Sequence, residues 1–201
     1  MIRRAAWVAA TTIGLAVGGF VLHFPGSFGD LRSWDPTALI FGGILGFITG
    51  IWVGLLQWVA LLLPRGPGAR LLLAMGVGIA ITHALNDAAP RGLGLPIVSI
   101  ASGLGMTAAF ATILGERRPV ALATCFVGWA GGLLLAAQVT SILGLPASET
   151  PVGWATEHAV AGLVVGLLWG SLMAAVGLPE LLRRRGEPAS SAPGHSSSQP
   201  A

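Results

Sequence analysis

The sequence predicts an all-α membrane protein of six transmembrane helices, and three observations carry that prediction. Charged residues make up 9% of the 201 residues and hydrophobic ones 54%, whereas soluble domains carry about 25% charge. Several apolar stretches run for about eighteen residues or more without a charge, close to the roughly twenty that take a helix across a hydrocarbon core about 30 Å thick. The arginines also alternate with the breaks between those stretches. With six crossings, Arg3, Arg4, Arg65, Arg70, Arg117, Arg118 and Arg183 to Arg185 share one side, and only Arg32 and Arg91 fall on the other.

The first span, about 5–24, follows Arg3 and Arg4. Its apolar run is longer than the roughly 7–15 residues of a signal-peptide core and no A-x-A-like site follows, so it is read as a retained helix. The second, about 38–63, contains GGILGFITGIWVGLLQW, with Gly42, Gly46, Gly50 and Gly54 at every fourth position. Residues four apart share a helix face, so these four form a groove without side chains. Between helices in lipid, close approach over small residues is a main source of attraction, which makes packing inside the bundle the expected use of the groove. Gln57 follows the ladder as an interhelical hydrogen-bonding group worth about 0.6–2 kcal/mol. Trp58 reads as an interfacial anchor.

The third span, about 71–89, ends in ITHALNDAAP, which sets His83 and Asp87 one turn apart with Asn86 beside them. A helix C-terminus disfavours a carboxylate, so Asp87 calls for a partner, and His83 is within reach of that role. The fourth, about 96–115, contains GLGMTA; its formal match to a dinucleotide fingerprint fails because no strand precedes it. The fifth, about 119–143, holds Cys125, whose solitude excludes an internal disulfide or a C-x-x-C motif. The sixth, about 152–177, starts with Thr150 as N-cap and Pro151 at the first helical position. Glu157 and His158 then stand about 10 Å into the helix. Trp154, His158, Gly162, Gly166 and Gly170 fall on one face. The small, polar, Pro-rich residues 186–201 are expected to be a disordered cytoplasmic tail.

The positive-inside rule puts both termini in the cytoplasm, with a bacterial cytoplasmic membrane as the expected location. An internal repeat is also visible. Arg3–Arg4 with Gly14 and Gly18 recurs 114 residues later as Arg117–Arg118 with Gly128 and Gly132, and Gly46, Gly50 and Gly54 recur 116 residues later as Gly162, Gly166 and Gly170. A fainter middle copy joins Arg65, Gly76 and Ala80 to Ala101, Gly105 and Ala109. Three helical hairpins, about 1–64, 65–116 and 117–178, are thus expected in a parallel, pseudo-threefold arrangement about the membrane normal.

Polar groups at membrane depth are costly and mark function. His83, Asn86, Asp87, Glu157 and His158 all fall in the half away from the termini, with His23, Gln138, Thr140 and Ser141, and are expected to share an outward-facing vestibule that binds a small molecule or lipid. His23, His83 and His158 have metal-ligand chemistry, but no close-spaced ligand motif supports a metal. The absence of lysine removes a Walker A loop and Schiff-base chemistry, and neither H-E-x-x-H nor G-x-S-x-G occurs. No cofactor and no nucleic-acid partner is expected.

GIWVGLLQWVALLLPRGPGARLLLAMGVGIA resembles a group of bacterial multi-pass membrane proteins that repeat G-x-x-x-G-x-x-Q-W-x-x-L before a short basic turn and another small-residue helix. Gly50, Gly54, Gln57 and Trp58 carry the resemblance, while the matching stretch of the sixth span, GLVVGLLWGSL, lacks Gln-Trp. The group implies no established activity. The expected function is transport or binding of a small solute or lipid. The alternatives are a structural or assembly subunit, acting with a copy of itself or a membrane partner, and an intramembrane enzyme whose His83, Asp87, Glu157 and His158 would have to converge on one substrate atom.

Overall fold

The computed structural model describes residues 1–23, 36–88, 94–114, 118–145 and 150–184, and every regular element in them is a helix. The helices are α1 (Ile2–His23), α2 (Pro36–Leu61), α3 (Arg65–Ala88), α4 (Leu95–Leu114), α5 (Pro119–Ile142), α6 (Pro151–Ala175) and α7 (Leu178–Arg184). The first six are long and apolar enough to cross a membrane. The expected tail lies outside the described residues.

Two elements differ from expectation. Helix α3 starts at Arg65 rather than about residue 71, because RGPGAR is helical: the Gly68 amide bonds the Pro64 carbonyl at 2.9 Å. Pro67 falls in the first turn, where a missing N–H costs nothing. Leu62 turns the chain between α2 and α3 with φ 51°, a left-handed conformation that costs a non-glycine residue about 1–2 kcal/mol. Helix α7, unforeseen in the sequence, tucks Leu178, Pro179 and Leu182 into the terminal face of the bundle. Trp58, expected as an interfacial anchor, also has a packing role. It is part-buried, donates its indole N–H to the Leu63 carbonyl at 2.6 Å, and packs on Gly68, so it closes the α2–α3 turn.

The six long helices form a ring in chain order, each packed on the next, and α6 closes the ring on α1. Large apolar side chains such as Ile44, Ile48, Leu104, Val127 and Leu167 point outward and are exposed, as lipid contact requires. The most extensive contacts are α2–α3 and α6–α1, and glycine sets both. A Cβ on Gly46 would stand 2.6 Å from the Ile79 carbonyl oxygen, one on Gly50 would run into that of Met75, and one on Gly54 would lie 3.0 Å from Leu72 Cα. On α6, Gly162 abuts the Leu15 carbonyl, and a Cβ on Gly166 would stand 2.6 Å from Thr12 Cα. Gly170 is looser, 3.4 Å from Thr11 Cβ, and Gly42 is buried at the start of its row. The ladder of α2 thus faces across residue 64, into the neighbouring hairpin of the sequence division.

The α1–α2 and α5–α6 contacts share a pattern. Gly14 faces Val53 and Gly18 faces Thr49, while Gly128 faces Trp169 and Gly132 faces Val165. The glycines of the second pair lie 114 residues beyond those of the first, and their partners lie 116 beyond. The middle stretch departs from its expected register. Gly76 faces Phe47 and Ile51 of α2, and Gly78, two residues on, meets Met106 of α4.

Candidate functional site

Opposite helices of the ring make no extensive direct contact, so side chains or space must fill its axis. In the half nearer the termini, side chains fill it. Trp169 is the hub, with ring centroids 5.9 Å from Trp7, 5.3 Å from Phe110 and 5.5 Å from Trp129, the last two edge-on. Edge-to-face pairs of this kind add about 0.5–1.5 kcal/mol beyond their burial. Met75, Met106 and Met173, all fully buried, belong to the same core. Gln57, 0% exposed, donates its amide to Thr11 Oγ1 at 2.8 Å, and Thr11 donates in turn to the Trp7 carbonyl at 2.7 Å. That chain ties α2 to α1, an interhelical hydrogen bond of the kind expected of Gln57 but to the helix opposite the one its glycine ladder faces.

In the other half a cavity of about 270 Å³ remains. All six long helices line it: Leu15 and Gly19 from α1, Thr49 from α2, Ile79, Thr82, His83 and Asn86 from α3, Leu95, Val98, Ser99 and Ser102 from α4, Trp129, Leu133, Ala136, Ala137 and Thr140 from α5, and Glu157, His158, Ala161, Gly162 and Val165 from α6. It is nearly twice the roughly 150 Å³ of an engineered cavity that holds benzene. Trp129 stands between cavity and core, and its indole N–H donates to Thr82 Oγ1 at 3.0 Å.

Of the residues expected at a shared vestibule, His83, Asn86, Glu157 and His158 line this cavity, brought from helices far apart in sequence. Asp87 ends α3, but its side chain, like that of His23, lies outside the described residues. Thr140 is buried in the wall, whereas Gln138 and Ser141 are exposed. Thr150 accepts the Gly153 amide at 3.1 Å, which fixes the start of α6 and hence the depth of Glu157. His158 Nδ1 donates to the Trp154 carbonyl at 2.9 Å, with the two rings stacked. The carbonyl thereby sets the tautomer, leaving Nε2 as the acceptor of the neutral ring. Glu157 forms no hydrogen bond or ion pair among the described residues.

Sequence reading missed the contribution of α4. Ser99 and Ser102 line the cavity at 1% and 0% exposure, and neither hydroxyl has a partner among the described residues. Helical hydroxyls ordinarily return their proton to a carbonyl about one turn back, as Thr49, Thr82 and Thr107 do. Two buried hydroxyls that do not are each costly by about 1–3 kcal/mol. The signal was the S-x-x-S spacing, which puts both on one face of an otherwise apolar span. Among the described residues no three His, Cys, Asp or Glu side chains come together as a metal site, and Cys125 is buried.

These features define a multi-pass integral membrane protein whose helix ring is solid at one end and hollow at the other. Set against protein-family models, curated proteins and solved structures, the chain finds no match.

Proposed function

We propose that the protein binds a small molecule in the ring cavity, reached from the face opposite the termini, as a small-solute or lipid carrier or receptor in a bacterial cytoplasmic membrane. The observation that carries this reading is the meeting in one hollow of His83 and Asn86 from α3, Glu157 and His158 from α6, and the two unpartnered hydroxyls of Ser99 and Ser102 from α4. A mostly apolar chamber with a few convergent polar groups is the usual form of a ligand site. The clustering of arginine near both termini supports a cytoplasmic terminal face, which makes the cavity outward-facing. The matched contacts of Gly14 with Val53 and Gly128 with Trp169 support descent of the outer hairpins from one repeated unit.

The test is a small-molecule screen by thermal shift on the full chain in lipid nanodiscs, with flux into proteoliposomes measured for each hit. Saturable binding should be abolished by Ser102→Phe or Ala137→Phe, which fill the cavity. It should survive Leu104→Phe on the exposed side of α4. Hits that bind both filled variants with unchanged affinity would remove the cavity as the site.

A further inference from the structure

We infer that the cavity selects a small organic cation: an ammonium group held at Glu157, an apolar body along the wall, and a neutral hydrogen-bonding group toward Ser99 and Ser102. The inference rests on the reading of the cavity as a ligand site and adds the chemistry of the ligand. Glu157 lines the hollow almost two turns inside α6, yet no arginine lines the cavity among the described residues, and the chain has no lysine. Carboxylates at membrane depth are ordinarily paired, because desolvating an unpaired charge is expensive. The described residues that line the cavity with Glu157 include no fixed cation. Asn86 is neutral, and the imidazoles of His83 and His158 carry no permanent charge. A cationic ligand supplies the missing charge.

The hydroxyls of the wall have different demands. Thr82 and Thr140 have already committed their hydroxyl protons to the Gly78 and Ala137 carbonyls. Ser99 and Ser102 have not, and each is buried with both donor and acceptor capacity unused. A buried hydroxyl that can both donate and accept is matched by a ligand group that does the same, such as a neutral hydroxyl or amide. With a volume of about 270 Å³, roughly double the cavity that accommodates benzene, the ligand has on the order of ten to fifteen non-hydrogen atoms.

Three probes of nearly equal shape separate charge from size: benzylamine, which is protonated at neutral pH, benzyl alcohol and benzoate. Their binding to the full-length protein in nanodiscs of neutral lipid is measured by titration calorimetry. Benzylamine should bind at least about tenfold more tightly than benzyl alcohol, a difference of about 1.4 kcal/mol, with benzoate weakest. Glu157→Gln should bring benzylamine to the level of benzyl alcohol, while Glu157→Asp keeps part of the preference and shows that the mutated site still folds. Equal binding of all three probes, abolished alike by Ser102→Phe, would overturn the cation assignment and leave the cavity reading standing. Binding that is indifferent to Ser102→Phe would overturn both.

Discussion

The two halves of the ring are built from the same six helices, yet one is solid and the other hollow, and the difference lies in how far the inward side chains fill the axis. Toward the termini the axis receives Trp7, Phe110, Trp169 and three methionines, all fully buried. Toward the opposite face small residues, Gly19, Thr49, Ser99, Ser102, Ala136, Ala161 and Gly162, share the lining with Leu15, Ile79, Leu133, Val165 and Trp129, and the axis stays open. One turn of α4 spans the change, from Met106 in the core to Ser102 in the cavity wall. Close approach of α2 to α3 and of α6 to α1 holds the ring at both levels, so the hollow does not depend on splayed helices. It persists because glycine brings the backbones of the frame together while the side chains that line the hollow leave the axis open.

The sharpest attack on this contrast is on the frame. Gly50→Leu or Gly162→Leu should abolish a monodisperse folded protein in detergent, since each new side chain meets a backbone carbonyl rather than a movable group. Gly66→Ala, with nothing within 4 Å of the added methyl, should leave thermal stability unchanged or raise it by up to about 1 kcal/mol. Trp169→Ala should be next in size, with a loss of about 3–5 kcal/mol by analogy with soluble cores, read as a fall in melting temperature. Ser102→Ala, in the hollow half, should be neutral or stabilising, because it removes an unpartnered buried hydroxyl. Equal losses for those two variants would refute the division into a solid and a hollow half. Gln57→Met should change stability by less than about 1 kcal/mol: it deletes the bond to Thr11 but also the unpartnered Oε1.

The smallest effect concerns α7. Arg4 Nε donates to Glu180 Oε1 at 2.9 Å across side chains 49% and 38% exposed. Burial alone would raise the Glu180 pKa, but the Arg4 hydrogen bond, the backbone N–H at the start of α7 and the charges of Arg4 and the N-terminus outweigh it and hold it below the usual carboxylate value. A lowered folded pKa adds stability above the ordinary carboxylate range, and that stability is lost as pH falls through the folded value. Exposure keeps the contribution small. Hydrogen-exchange protection of α7, corrected for the intrinsic rate at each pH, should therefore fall on acidification below the carboxylate range while α2 and α3 stay protected. An unchanged α7 would contradict the pairing.

The six spans were legible because a membrane demands length and apolarity, both written plainly in one dimension. The start of α3 was less so, since Gly and Pro at 66–68 read as a turn although a first helical turn accepts both. Glycine spacing marked close packing but could not name the partner helix. A stripe of small residues fits any small surface, and only the ring order assigns Gly46 to α3 and Gly162 to α1. At the site, His83, Asn86, Glu157 and His158 stood out because charge and imidazole are rare in such spans. Ser99 and Ser102 did not, because helices in lipid usually satisfy a serine internally, and only three-dimensional accounting shows that these two go unpaired.

The most direct test of the hollow and its boundary is cysteine accessibility along α4. In a Cys125→Ala background, Ser102→Cys and Met106→Cys place thiols four residues apart on either side of the change from cavity to core. A small water-soluble methanethiosulfonate, added to the face opposite the termini in proteoliposomes, should label the Ser102→Cys protein and leave Met106→Cys unmodified. Equal labelling of the two, or none at Ser102→Cys, would contradict the account.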